Sequence, residues 1–205
     1  PAPAVVVAPA VTAPAAPASD TLAASLPPAP VVPTDLTEVD LPLKPAHDEL
    51  AKAPDLAAAP AAPAGKLLVP VEGMKYAQLS DNFDQPRGKE RHHEALDIMA
   101  PKGTKVVAVA DGKVAKLFNS KPGGLTVYQF DPTETYAYYY AHLDRYADGV
   151  KEGTMLKRGD LVGYVGTTGN SAKDAPHLHF AVFELTPAKQ WWKGSAINPY
   201  PLLGD

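Results

Sequence analysis

The chain has 205 residues with 23 Pro, 15 Gly and no Cys, and its 19 basic and 23 acidic side chains give a formal charge of −4. No stretch reaches the about 18 consecutive apolar residues of a membrane-spanning helix. No block of basic charge marks a nucleic-acid partner, and the lack of Cys excludes disulfides, thiolate metal sites and a cysteine nucleophile, leaving His, Asp and Glu as the available chemistry.

Proline is concentrated at the front. Residues 1–65 carry 14 of the 23 Pro together with 20 Ala and a single Gly, Gly65. Such runs remove backbone donors, favour polyproline II and offer little side-chain bulk to bury, so the segment reads as a disordered Pro/Ala-rich tether. At ~3.1 Å per residue a fully extended tether of this length reaches on the order of 200 Å. Two apolar-acidic pieces, 34–43 and 47–56, read as solvated linker rather than docking motifs. The chain opens at Pro1 rather than Met, which reads as a processed or trimmed form that does not include its targeting segment.

Residues 66–205 form the second region, and their texture is that of short strands punctuated by Gly. Val106 to Ala110, Asp111-Gly112 and Lys113 to Phe118 predict a hairpin with a two-residue turn. Leu125 to Phe130, Tyr136 to Leu143, Leu161 to Val165 and Leu178 to Phe183 are rich in Tyr, Val and other strand formers. No convincing amphipathic helix interrupts them. The fold class expected is all-β, an antiparallel β-sandwich or barrel-sandwich-like domain.

Five of the six His fall in this region, at 92, 93, 142, 177 and 179. In the strand pattern Pro176-His-Leu-His-Phe-Ala-Val, His177 and His179 point to one face. His93-Glu-Ala-Leu-Asp97 adds a His and a carboxylate four apart, with Asp97 interrupting an apolar run where an unpaired charge would cost several kcal/mol. One His and Asp97 from this segment with one His of the 177/179 pair make a three-ligand N/O set, the kind catalytic zinc uses while keeping a position open for water. His142 ends a Tyr-rich strand, and whichever of His177 and His179 does not bind metal stands with it beside that water, able to take its proton and stabilise an oxyanion. His92 reads as a surface residue, and His47 lies in the tether.

His93-X-X-X-Asp97, Tyr140-Ala-His142-Leu and His177-Leu-His179 together resemble the three signature motifs of the lysostaphin-type (LytM-like) zinc metallopeptidases that cut peptidoglycan peptides. Asp97-Ile-Met-Ala-Pro-Lys-Gly-Thr104, Ala110-Asp-Gly-Lys-Val114, Lys157-Arg-Gly-Asp160, Val165-Gly-Thr-Thr-Gly169 and Asn198-Pro-Tyr-Pro-Leu-Leu203 agree with it, and the likeness covers about residues 67–203. It implies His93, Asp97 and His179 as ligands of one Zn2+ per chain, His142 and His177 as the catalytic pair, and a site in a groove between sheets. It further implies action on peptidoglycan peptides in the periplasm or cell envelope, on a chain anchored ahead of Pro1 or, alternatively, secreted. Arg87 and Tyr140 are candidate substrate contacts, and Glu94 with the 81–91 loop shapes the rim. Ala95 stands where the family commonly has Gly, which predicts a slightly tighter turn. Trp191-Trp192 reads as a clasp closing the domain rather than a binding platform.

Two other readings stand beside this one. Some relatives lose ligands and act as non-catalytic regulators of other wall hydrolases; here all five positions are intact. A regulatory partner, or the tether itself, could gate the groove. The Ala110-Asp-Gly-Lys-Val114 and 150–163 segments also resemble lipoyl-type carrier repeats, but Lys113 lacks the usual neighbouring Met, and the likeness is one of architecture.

Overall fold

The computed structural model describes residues 63, 65–87 and 91–205. The expectations for the tether fall almost wholly on residues outside these. Eleven strands follow one another among the described residues: β1 (Leu67–Leu68), β2 (Leu96–Met99), β3 (Lys105–Val107), β4 (Gly112–Ser120), β5 (Gly124–Phe130), β6 (Tyr136–Tyr146), β7 (Met155–Leu156), β8 (Leu161–Val165), β9 (His177–Leu185), β10 (Gly194–Ile197) and β11 (Leu203–Gly204). Among the described residues, helical structure is confined to 3-10 turns at Tyr76–Gln78 and Tyr200–Leu202.

Nine strands form one branched antiparallel sheet, and β1 pairs in parallel with β11. The central path runs β10-β9-β6-β5-β4-β7, with β2 added to β9 and the β3–β8 pair joined to β6. Leu96 and Ile98 on β2, Val106 on β3, Tyr138 and Tyr140 on β6, Val162 on β8 and Leu178 and Phe180 on β9 all enter one core, so the two branches close over a shared interior. The alternation that forms these strands also sorts their faces. The other face of β6 and β9, with Ala137, Tyr139, Ala141, Ala181 and Phe183, builds a second apolar cluster that includes Ala95, Tyr128 and Phe130.

Most strand expectations are met, with β6 extended to Tyr146 and β9 to Leu185. The hairpin around Asp111-Gly112 is not formed. β3 pairs with β8, while β4 pairs with β5 and β7, so the residues flanking Asp111-Gly112 belong to strands that never meet. The sequence signal has a different cause. A Cβ at Gly112 would lie 2.2 Å from the Phe130 carbonyl oxygen, so Gly is needed for close approach of β5 rather than for a turn. The Asp111 carboxylate accepts from the Arg158 backbone N–H at 2.9 Å and pairs with Lys157, fastening the β7–β8 connection.

Candidate active site

The site is assembled by pairing β2 with β9. Asp97 lies opposite His179 and Met99 opposite His177, all on the face away from the Leu96/Ile98/Leu178/Phe180 core. Just ahead of β2, Glu94 takes φ 55, turning the chain so that the buried His93 reaches back toward Asp97. The left-handed residue is Glu94 and not Ala95, whose methyl is fully buried in the second cluster and so contributes packing.

Three atoms converge there. His93 Nε2 and His179 Nδ1 each lie 3.0 Å from Asp97 Oδ1 and 3.2 Å from one another. The Nδ1–H of His93 donates to the Asn82 carbonyl at 3.0 Å, so in the neutral ring Nε2 presents a bare lone pair to a carboxylate oxygen. Acceptors facing one another at this distance call for a cation between them, and a tetrahedral metal with bonds of about 2.0–2.2 Å sets its ligand atoms about 3.3–3.5 Å apart. His93, Asp97 and His179 thus form a group able to hold a metal ion. Burial pushes the Asp97 carboxyl upward in pKa, but the His179 and His93 imidazoles set against it outweigh burial and hold the group well below the ordinary carboxylate range, so it is ionised. Burial pushes the His179 imidazole down, keeping it neutral and available as a ligand.

The surroundings fix this cluster. Asn82 Oδ1 accepts from the Asp97 backbone N–H at 3.2 Å while its carbonyl orients His93. The Arg87 guanidinium pairs with Asp97 Oδ2. It therefore reaches the site, but engaged with the carboxylate.

Two further imidazoles complete the arrangement. His177 Nδ1 donates to the Ala175 carbonyl at 2.8 Å, turning Nε2 inward to 3.6 Å from Asp97 Oδ1. His142 Nδ1 donates to the Thr168 carbonyl at 2.9 Å, and its ring lies 4.9 Å from that of His177 and 5.6 Å from that of His179, centroid to centroid. Burial, reinforced by the nearby His179, pushes the His142 pKa down to about 4. His142 sits at φ 59, inside the register shift in which Tyr140 pairs with Val127 but Leu143 with Leu125. This bulge reverses the alternation of β6 and brings His142 to the side of Tyr139 and Ala141.

The reversal corrects one expectation. Tyr140, two residues before His142, would share its face in a regular strand. Instead Tyr140 is 0% exposed in the main core, donating to Gln129 Oε1 at 2.8 Å and accepting from the Val109 N–H at 3.1 Å, so it cannot touch substrate. The tyrosine on the site face is Tyr139, whose ring meets that of His179 edge-on at 6.1 Å. His92 is exposed. Trp191 packs on Phe118 and Tyr128 as a clasp, while Trp192 is 43% exposed. Lys113 is ion-paired with Glu134 within β4 and sits at no hairpin tip.

Asn82, Thr168 and Tyr139 were not singled out from sequence. Alternation back from Ala141 reaches Tyr139, Thr168 lies in Val165-Gly-Thr-Thr-Gly169, and Asn82 carries no local signal.

Residues 91–199, more than half of the chain, match the description of Peptidase family M23. The L-Ala--D-Glu endopeptidase of Bacillus subtilis is 32% identical over 121 residues, covering 57% of this chain and 36% of its own. The peptidoglycan DD-endopeptidase ShyC of Vibrio cholerae is 34% identical over 112 residues, covering 52% and 25%. The chain thus spans about a third or less of the length of these relatives. Among solved structures, Csd3 of Helicobacter pylori superposes with a TM-score of 0.53 at 27% identity, covering 69% of this chain and 35% of that one.

Proposed function

This chain belongs to peptidase family M23, and from that premise we propose that it is a zinc-dependent endopeptidase that hydrolyses peptide bonds in peptidoglycan stem peptides or cross-links. The observation that carries the reading is the convergence of His93 Nε2, His179 Nδ1 and Asp97 Oδ1 within 3.0–3.2 Å, flanked by two imidazoles whose outer nitrogens are tied to backbone carbonyls. His93, Asp97 and His179 would hold the ion. Zinc bound there supplies a Lewis acid and lowers the pKa of a coordinated water toward ~7.

The chain's own residues do the rest. With Nδ1 committed to the Thr168 carbonyl, His142 offers Nε2 as a proton acceptor, and its depressed pKa keeps it unprotonated at neutral pH. His177, committed through Nδ1 to Ala175, offers its Nε2 on the other side; protonated, it donates to the oxyanion that develops as water adds to the scissile carbonyl. The proton taken by one imidazole then passes to the leaving amine. Arg87 neutralises the outer oxygen of Asp97 and keeps Oδ1 directed inward. A wall-peptide substrate places the action outside the cytoplasmic membrane, with residues 1–65 as a tether preceding a peptidase domain at 66–205.

Elemental analysis of the purified chain, together with digestion of isolated peptidoglycan with and without chelator and mass analysis of released peptides, tests this. About one zinc per chain with chelator-sensitive peptide release is the expected result. Bound zinc without cleavage by the chain alone or with envelope extract would overturn the endopeptidase reading in favour of a regulator.

A further inference from the structure

The strand that presents Asp97 ends in a side chain that the chemistry above leaves unused. Met99 lies two residues beyond Asp97, on the same face of β2, and its register partner on β9 is His177. Directly opposed residues on paired strands carry Cβ atoms about 4.5–5.5 Å apart, which sets the Met99 side chain next to the imidazole that flanks the attacking water. Its neighbours Leu96, Ile98 and Ala100 are buried, yet Met99 is 55% exposed.

The other large apolar side chains that are exposed among the described residues stand elsewhere: Met155 on β7 and Trp192 after β9. Around Met99 the β2–β9 face offers Asp97, His177 and His179, all polar and all engaged. An unbranched thioether on a paired strand, left open to solvent beside polar catalytic groups, is an apolar surface for a small substrate group.

We propose that Met99 is a specificity-determining residue, the apolar wall of the subsite beside His177, and that it receives the methyl side chain of an alanine residue flanking the scissile bond. A single exposed side chain bordered by three polar groups covers one methyl better than a long aliphatic chain. The chemistry discriminated is therefore alanine against glycine at that position. The inference rests on the endopeptidase reading, and binding separates the two.

The experiment uses the zinc-loaded full chain in a His142→Ala background, which leaves peptides intact, with Met99, Met99→Leu and Met99→Ala versions. Two synthetic peptides serve as probes: one carries alanine on both sides of the bond, and the other glycine at the same positions. Dissociation constants come from titration calorimetry, with zinc content and thermal midpoint as controls. The alanine peptide should bind about fourfold more tightly than the glycine peptide per methyl covered. That ratio should persist in Met99→Leu and fall toward one in Met99→Ala. A ratio unchanged in Met99→Ala, or the absence of any alanine preference with Met99 present, overturns the subsite even if the native chain digests peptidoglycan. An alanine preference that depends on Met99, in a chain that with His142 restored releases no peptide from peptidoglycan alone or with envelope extract, keeps the subsite and overturns the endopeptidase reading.

Discussion

The backbone carbonyl of Thr168 receives the Nδ1 proton of His142 at 2.9 Å, and the Thr168 hydroxyl ties that carbonyl's own segment down. It donates to the Leu143 carbonyl at 2.7 Å and accepts from the Leu125 N–H at 3.0 Å, so one residue spans β5, β6 and the loop after β8. Thr168 is a positioning residue for the imidazole proposed as base. Thr168→Val keeps the carbonyl but orphans the Leu125 donor, an expected loss of about 1–3 kcal/mol. Its kcat should fall about tenfold at unchanged zinc content, and Thr168→Ser should restore it. Steady-state kinetics beside metal analysis check this; a kcat equal to that of the native chain refutes it.

The same junction depends on glycine. Gly124 has φ +64, and a Cβ there would lie 2.2 Å from Thr168 Oγ1 and 2.4 Å from the Gly169 nitrogen. Gly149 has a similar φ, +81, with nothing within 4 Å. Gly149→Ala should therefore cost only the left-handed penalty of about 1–2 kcal/mol. Gly124→Ala should cost clearly more and abolish cleavage, because the loop that fixes His142 must move. Urea denaturation of the two variants gives the comparison.

Ligand and catalytic positions should separate by metal content. Replacing His93, Asp97 or His179 by Ala should lower bound zinc and activity together. Replacing His142 or His177 should leave about one zinc per chain while lowering kcat by about 10²–10⁴, the contribution of positioned proton transfer. A His142→Ala protein that loses its zinc would contradict this division.

Asn82 acts one step further out. It holds the Asp97 backbone through its side chain and His93 through its carbonyl. Asn82→Ala should weaken zinc affinity about 10–100-fold, the usual effect of losing a partner that orients metal ligands. Competition with a fluorescent chelator measures it directly.

Trimming the chain's front should meet a sharp limit. Leu67 on β1, which pairs with β11, is buried, and so are Val69 and Val71 just beyond it. Removing residues 1–65 should leave the thermal midpoint unchanged. Removing 1–71 should destabilise by several kcal/mol, since each fully buried Leu or Val contributes about 1.5–3 kcal/mol.

Much of the candidate site is legible in the sequence because Asp97, His177 and His179 stand on regular strands. His177-Leu-His179 lies in β9, where a period of two puts both rings on one face, and Asp97 stands in an apolar run that tolerates a charge only with partners. Composition likewise separates residues 1–65 from the strand-rich remainder. Tertiary structure alone decides where regularity breaks. The bulge at His142 sends Tyr140 into the core and brings Tyr139 to the site, because one extra residue inverts every side chain on one side of it. Asp111-Gly112 has the composition of a hairpin turn, yet its Gly serves the close passage of β5. Asn82 and Thr168 act through carbonyls as well as side chains, and a backbone carbonyl is the same in every residue; only the packing of distant strands gives these two their partners.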